Sequence, residues 1–204
     1  MKKNSFTKEE ISLFKKLNTP AKVQDFLDSI PINFEHDKKD TIKSPLFTLR
    51  NWNAHCIEGA MLGAYILSLH GHKPLLLHFK TTKGDFDHII VPFKENGYWG
   101  ALSKTNHVVL RYRDPVYKNI RELAMSYFNE YFTDTGKKSL RKYSHPLNLN
   151  SFEKGWEVME GDLFGIDDEL HKIKHYDTVP EKNISKLRKA DKIELESVKV
   201  TDWH

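Results

Sequence analysis

Cys56 is the only cysteine in the 204-residue chain, and it opens an apolar run, "AHCIEGAMLGAYIL". Ile57, Ala60, Met61, Ala64 and Leu67 keep a spacing of three and four up to Gly71, which predicts a helix beginning near Asn53 or His55 with the thiol in its first turn. The unpaired N–H groups of a helix start favour a thiolate, and the same groups can receive the oxyanion of an acyl intermediate. The backbone N–H of Cys56 is one such donor. A cysteine nucleophile also needs a base, usually histidine, and a polar group that fixes the ring. His88 opens a strand-like run, "DHIIVPF", where its side chain can lean over the helix start. The Asn96-Gly97 pair predicts a hairpin turn that places His88 across from Thr105, and Ser103 has the parity to share its face. Asp85 and Asp87 flank the histidine. Asp87 is adjacent to it and should point to the opposite face, so Asp85 is the better carboxylate by parity, and Asn106 is a further alternative orienter.

Other chemistry-bearing residues have plainer readings. His55 is expected to point a helical step away from the thiol, as a polar or capping side chain. Glu58, in the first turn, complements the helix dipole. His70, His72 and His78 include ligand-like spacing, but no HExxH, no second cysteine and no carboxylate pair accompanies them, so no metal and no cofactor is expected.

The elements that must position these residues can be read on either side. Thr7 and Glu10 form a capping-box pattern ahead of Ile11, Phe14 and Leu17, and Thr19-Pro20 opens a second helix with Val23, Phe26, Leu27 and Ile30 on one face. Residues 34 to 45 read as a charged loop. "KPLLLHF" and "DHIIVPF" predict buried strands, and the latter pairs with the run after the turn. "HVVLRY" predicts another strand, and Asp114-Pro115 the start of a helix carrying Ile120, Leu123, Ala124, Tyr127, Phe128 and Tyr131. That aromatic stripe is assigned to the core. From Lys137 to 166 the interruptions by Gly155, Gly161 and Gly165 predict irregular structure, and a short helix follows Pro180.

The order of a helix-start cysteine, a strand histidine and a polar residue beyond a strand tryptophan resembles the transglutaminase-like branch of the papain-like cysteine protease fold. The segments carrying it are "AHCIEGAMLGAYIL", "HGHKPLLLHF" and "DFDHIIVPFKENGYWGALSKT", with "TPAKVQDFLDSIPINF" as a helical lead-in, together about residues 19 to 105. The resemblance implies an α+β fold in which a nucleophile-bearing helix packs on an antiparallel sheet, with helical additions at both ends. It implies Cys56 as nucleophile, His88 as base and, four residues past Trp99, Ser103 as the orienter. Trp99 itself reads as hairpin packing, with a wall of the substrate pocket as the alternative. Ser103 stands where the family has aspartate, Ile90 where it often has an aromatic residue, and "NAH" where a glycine commonly precedes the nucleophile. A hydroxyl holds a neutral imidazole but supplies no charge to an imidazolium. The expected function is therefore cysteine-dependent acyl transfer on a peptide, protein or small amide substrate, as a peptidase, amidase or transglutaminase. The alternative is a catalytically silent member used as a protein-binding module.

Composition bounds these readings. The chain is 39% hydrophobic, with 32 basic and 28 acidic residues mixed along it, which fits one globular domain over 1–166 and a charged helical extension over 167–204 docked on it. A net charge of +4 gives too weak a field to demand a polyanion, and the basic residues from Lys172 to Lys192 are interleaved with acidic ones, so nucleic acid is disfavoured. "MKKNSFTKEE" lacks a signal-peptide apolar core, no run is long enough to span a membrane, and a lone thiol suits a reducing compartment. The expected location is cytoplasmic. The sequence leaves the oligomeric state open.

Overall fold

The computed structural model describes residues 4–34 and 40–202; residues 35–39, within the loop expected over 34 to 45, lie outside the described residues. Two capped helices open the chain. Thr7 accepts from the Glu10 N–H while Glu10 reaches back to Thr7, starting α1 (Lys8–Lys16), and Thr19 caps α2 (Pro20–Asp28) with Pro20 in its first turn. A short helix not anticipated from the sequence, α3 (Pro45–Asn51), starts at Ser44-Pro45 and stops where Trp52 turns left-handed at φ 52°. It leads into α4 (Cys56–Ser68).

Helix α4 is buried along most of its length, from Ile57 to Leu67, and packs on an antiparallel sheet. The sheet is built from β1 (Leu75–Thr81), β2 (His88–Glu95), β3 (Tyr98–Leu102), β4 (Arg113–Tyr117), β5 (Leu140–Ser144), β6 (Leu147–Asn148) and β7 (His175–Asp177), in the order β4-β3-β2-β1-β5-β7 with β6 also on β1. Helices α5 (Ile120–Phe128), α6 (Phe164–Lys172), α7 (Glu181–Ile184) and α8 (Lys192–Ser197) follow, with 3-10 turns at Leu149–Ser151 and Trp156–Val158. This is the α+β arrangement expected, a cysteine-bearing helix on an antiparallel sheet with helices before and after it.

Alternation along the strands divides the core. Leu76, Ile89, Val91 and Phe93 join the cluster around α4, whereas Leu77, Phe79, Ile90 and Ala101 join Leu123, Ala124 and Tyr127 of α5 on the other face. The turn between β2 and β3 consists of Asn96 and Gly97, both at positive φ, and Glu95 pairs with Tyr98. A two-residue turn of this kind matches the strand twist.

Three sequence expectations fail for local reasons. "HVVLRY" contains a 3-10 turn, Val108–Leu110, with Val108 exposed. Asp114 and Pro115 lie in β4, an edge strand where proline's missing N–H costs no ladder bond, and the helix starts later, capped by Asn119. Residues 140 to 144 form β5 between β1 and β7, with Leu140 and Tyr143 buried beneath the charged Arg141 and Lys142. Among the described residues, no helix is long and apolar enough to cross a membrane.

Gly59 sets how closely α4 approaches the segment after β3. A Cβ there would lie 2.4 Å from Lys104 Cβ and 2.6 Å from its Cγ. Gly59→Ala is therefore expected to cost about 1–3 kcal/mol through overpacking. Denaturant titration checks this, and an unchanged midpoint would mean that the two segments separate freely.

Candidate active site

The N-terminus of α4 and the first residue of β2 meet at a cleft of about 470 Å³, whose lining includes Cys56, His55, His88, Lys104 and Tyr131. Cys56 is partly accessible at this cleft, while His88 is buried. His88 Nε2 lies 2.8 Å from Ser103 Oγ. That contact leaves Nδ1 as the nitrogen available to the sulfur, to which the His88 side chain is also hydrogen-bonded.

Ser103 is the diagonal neighbour of His88 in the hairpin: pairing runs Val91 to Leu102, and the ladder ends before Ser103. Its backbone is instead clamped by a side chain. Ser103 N donates to Gln24 Oε1 at 2.9 Å, and Gln24 Nε2 donates to Ser103 O at 3.0 Å. Gln24 of α2 thus replaces the ladder bonds that the strand lacks at this point. It is buried, a polar residue between Val23 and Asp25 that no periodicity marks out.

The carboxylates of Asp85 and Asp87 are engaged elsewhere. Asp85 lines the cleft, but its carboxylate accepts from Ser139 Oγ and from the Phe86 N–H. Asp87 turns to the opposite face, as parity requires, and accepts from Thr81. Asn106 lines the cleft and its carbonyl accepts from the Asp202 N–H. Trp99 does not line the cleft; it packs beside the α5 cluster with Lys94 Nζ 5.5 Å above its ring. Its side chain is on β3 nearer the hairpin turn, several residues from the His88 end.

His55 departs most from its expected position. It is the N-cap of α4, with extended backbone (φ −92°, ψ −174°), so its side chain does not follow the helical rotation that would carry it away from Cys56. Its Nε2 donates to the carbonyl of Thr41 at 2.5 Å, and the ring is hydrogen-bonded to the thiol. Behind it sits Glu58, fully buried. Glu58 Oε1 accepts from Thr41 Oγ1 (2.9 Å) and Lys43 N (3.0 Å), while Oε2 accepts from His55 N and Asn33 Nδ2 (3.2 Å each) and lies 3.3 Å from Lys43 Nζ. The carboxylate also stands 3.8 Å from His55 Nε2.

These contacts fix the charge state. Burial pushes the Cys56 thiol up, but hydrogen bonds from His55 and then His88, with their positive charge, outweigh it and bring the thiol down to about 5. Burial opposes charge on His55 too, yet the bond to Cys56, the Glu58 carboxylate and the Thr41 carbonyl raise it to about 9. Between these values the pair is a thiolate and an imidazolium.

Tyr131 lies beyond the end of α5, in the cleft wall. Its buried hydroxyl has no hydrogen-bond partner among the described residues, and burial, with the nearby Cys56 charge, raises its pKa well above the ordinary value. It remains a neutral donor facing the thiolate's surroundings.

Comparison with protein-family models finds no match, and a search of curated proteins finds none either. Among solved structures, Legionella pneumophila LapG in an EGTA-treated form overlaps 79% of this chain and 83% of its own, at 14% identity and a TM-score of 0.41. An overlap that loose assigns no function.

Proposed function

We propose that the protein is a cysteine-dependent acyl-transfer enzyme acting on amide or ester groups of a peptide, protein or small molecule. The observation that carries this reading is the Cys56 thiol at a helix start, hydrogen-bonded by two imidazoles on an open cleft. In this mechanism the Cys56 thiolate attacks the acyl carbon, forming a C–S bond, and the oxyanion is received by the Cys56 backbone N–H. His88, carrying a proton on Nδ1, gives it to the leaving nitrogen as the C–N bond breaks. It then takes a proton from water, in hydrolysis, or from an amine, in transfer, as that nucleophile releases the acyl group. Ser103 is a positioning residue that holds Nε2. His55 and Glu58 supply the charge that makes the thiolate, so a neutral anchor suffices for His88.

A second reading, a silent protein-binding module, is favoured by the hydroxyl at position 103, which offers an imidazolium no countercharge. The Ser103 series separates the two. With an activated ester as acyl donor, Ser103→Ala is expected to slow Cys56 acylation about tenfold, the worth of one good hydrogen bond. Ser103→Asp is expected to match or exceed the wild type. If Cys56 is not acylated in any of the three proteins, the module reading stands. If Ser103→Ala is acylated as fast as the wild type, Ser103 does not orient His88.

A further inference from the structure

On the face of the sheet opposite His88, three side chains from separate segments converge: His78 of β1, Asp87 just before β2, and His171 in the last turn of α6. Their potential ligand atoms all lie within 4.8 Å of one another. We propose that His78, Asp87 and His171 form a binding site for a divalent transition-metal ion of the zinc type, separate from the cysteine cleft.

Neighbouring groups hold the atoms that would not ligate. His171 Nδ1 donates to the Asp167 carbonyl at 2.9 Å, so its Nε2 carries the lone pair. His175 Nδ1 donates to the Ile173 carbonyl at 2.7 Å, which leaves His175 Nε2 as an acceptor, and that atom lies 3.3 Å from His78 Nδ1. The Leu170 carbonyl lies at the same 3.3 Å from His78 Nδ1. Both neighbours are acceptors, which favours a proton on His78 Nδ1 and turns Nε2 towards Asp87 Oδ2, where an ion would replace the proton between them. Asp87 Oδ1 accepts from Thr81 N (2.8 Å) and Thr81 Oγ1 (3.1 Å), which reserves Oδ2. Lys80 Nζ donates to the carbonyl of His171 (3.3 Å) and ties that turn of α6 to β1. Each ligand thus has the second-shell support that fixes tautomer and direction in protein metal sites.

The spacing also suits an ion. His78 Nε2 and Asp87 Oδ2 are 3.3 Å apart. Two ligands at about 2.0–2.1 Å from a tetrahedral zinc stand at that separation, and a ligand atom of His171 lies within 4.8 Å of both. Two imidazoles and one carboxylate select zinc, cobalt or nickel over magnesium or calcium, which favour oxygen shells. His78 is buried, whereas the side chains of Asp87 and His171 are 40% and 48% exposed, so an ion can enter from solvent and keep one open position. With no ion, His78 Nε2 donates a hydrogen bond to Asp87 Oδ2 across the same contact. The sequence concealed the site because its ligands come from positions 78, 87 and 171, with no local motif.

Titrating chelator-treated, full-length protein with Co²⁺ and then Zn²⁺ tests the proposal. One Co²⁺ per chain is expected to give the visible bands of a four- or five-coordinate site with no thiolate charge-transfer band, and Zn²⁺ to displace it. His171→Ala, a change at a half-exposed side chain, is expected to weaken binding by at least about a hundredfold, and His175→Ala by about tenfold, as for a second-shell partner. Asp87→Asn checks the carboxylate independently and should weaken binding strongly with the fold intact by circular dichroism. Cys56→Ser should bind as tightly as the wild type. The proposal is overturned if no cobalt spectrum develops, if His171→Ala and Asp87→Asn bind unchanged, or if a thiolate band appears that Cys56→Ser removes.

Discussion

Replacing His88 with alanine is expected to slow acyl transfer from a p-nitroanilide by about 10²–10⁴, the usual worth of a positioned general acid–base. An anilide leaving nitrogen must be protonated as the C–N bond breaks, and His88 is the group placed to supply that proton. A p-nitrophenyl ester leaves as a stable anion and needs no such proton, so the loss with the ester should be smaller. Cys56 keeps its bond to His55 in this variant, so the thiolate persists in part. Measuring both substrates in wild type and His88→Ala checks the assignment. Equal losses on the two would mean that His88 only holds the thiolate, and no loss on either would remove it from the mechanism.

Replacing Glu58 with alanine is expected to destabilise the fold by about 3–5 kcal/mol, the cost of removing one partner from a buried charged pair. Its carboxylate is fully buried, and its removal takes an acceptor from the Thr41 hydroxyl and from the backbone N–H groups of Lys43 and His55, and leaves the Lys43 ammonium with the neutral Asn53 amide in place of a countercharge. The effect should reach the thiol as well. Glu58 is one of the groups that raise His55, and a less charged His55 lets the Cys56 thiol rise. Glu58→Gln keeps an acceptor and the shape, and so should cost less stability while still raising the thiol. Chemical denaturation together with the pH profile of Cys56 alkylation reads both effects. A change below about 1 kcal/mol would be that of a surface dipole partner rather than a buried hub.

Both predictions turn on residues that differed in how legible they were. Cys56 and His88 could be read because each begins an element with a clear period, α4 and β2, and the Asn96-Gly97 turn fixes which later residues share the face of His88. Ser103 could be placed by parity for the same reason, but Gln24, which clamps it, comes from a helix 79 residues away and leaves no local pattern. His55 is legible as a cap, which it is, but its closeness to Cys56 is not, because the spacing rule of a helix does not hold for a residue just outside it. An N-cap has extended backbone, so neighbours at the cap and first helical position can converge on one point. Glu58 was legible as a first-turn acid, but its burial depends on Asn33, Thr41 and Lys43 closing over it. The strand β5 was hidden by composition: "LRKYS" carries its charges on the exposed positions of a half-buried strand, and its apolar residues are too few to show a period.

The central claim is that Cys56 is a thiolate at neutral pH because two imidazoles hold it. The rate of carboxamidomethylation of Cys56 across pH measures this directly, in wild type, His55→Ala and His88→Ala. Alkylation requires the thiolate, so the wild-type rate should rise through a midpoint of about 5 and be level through neutrality, and each alanine variant should move the midpoint upward. A wild-type midpoint at or above the ordinary thiol value of about 8.5, unmoved by either substitution, would contradict the account.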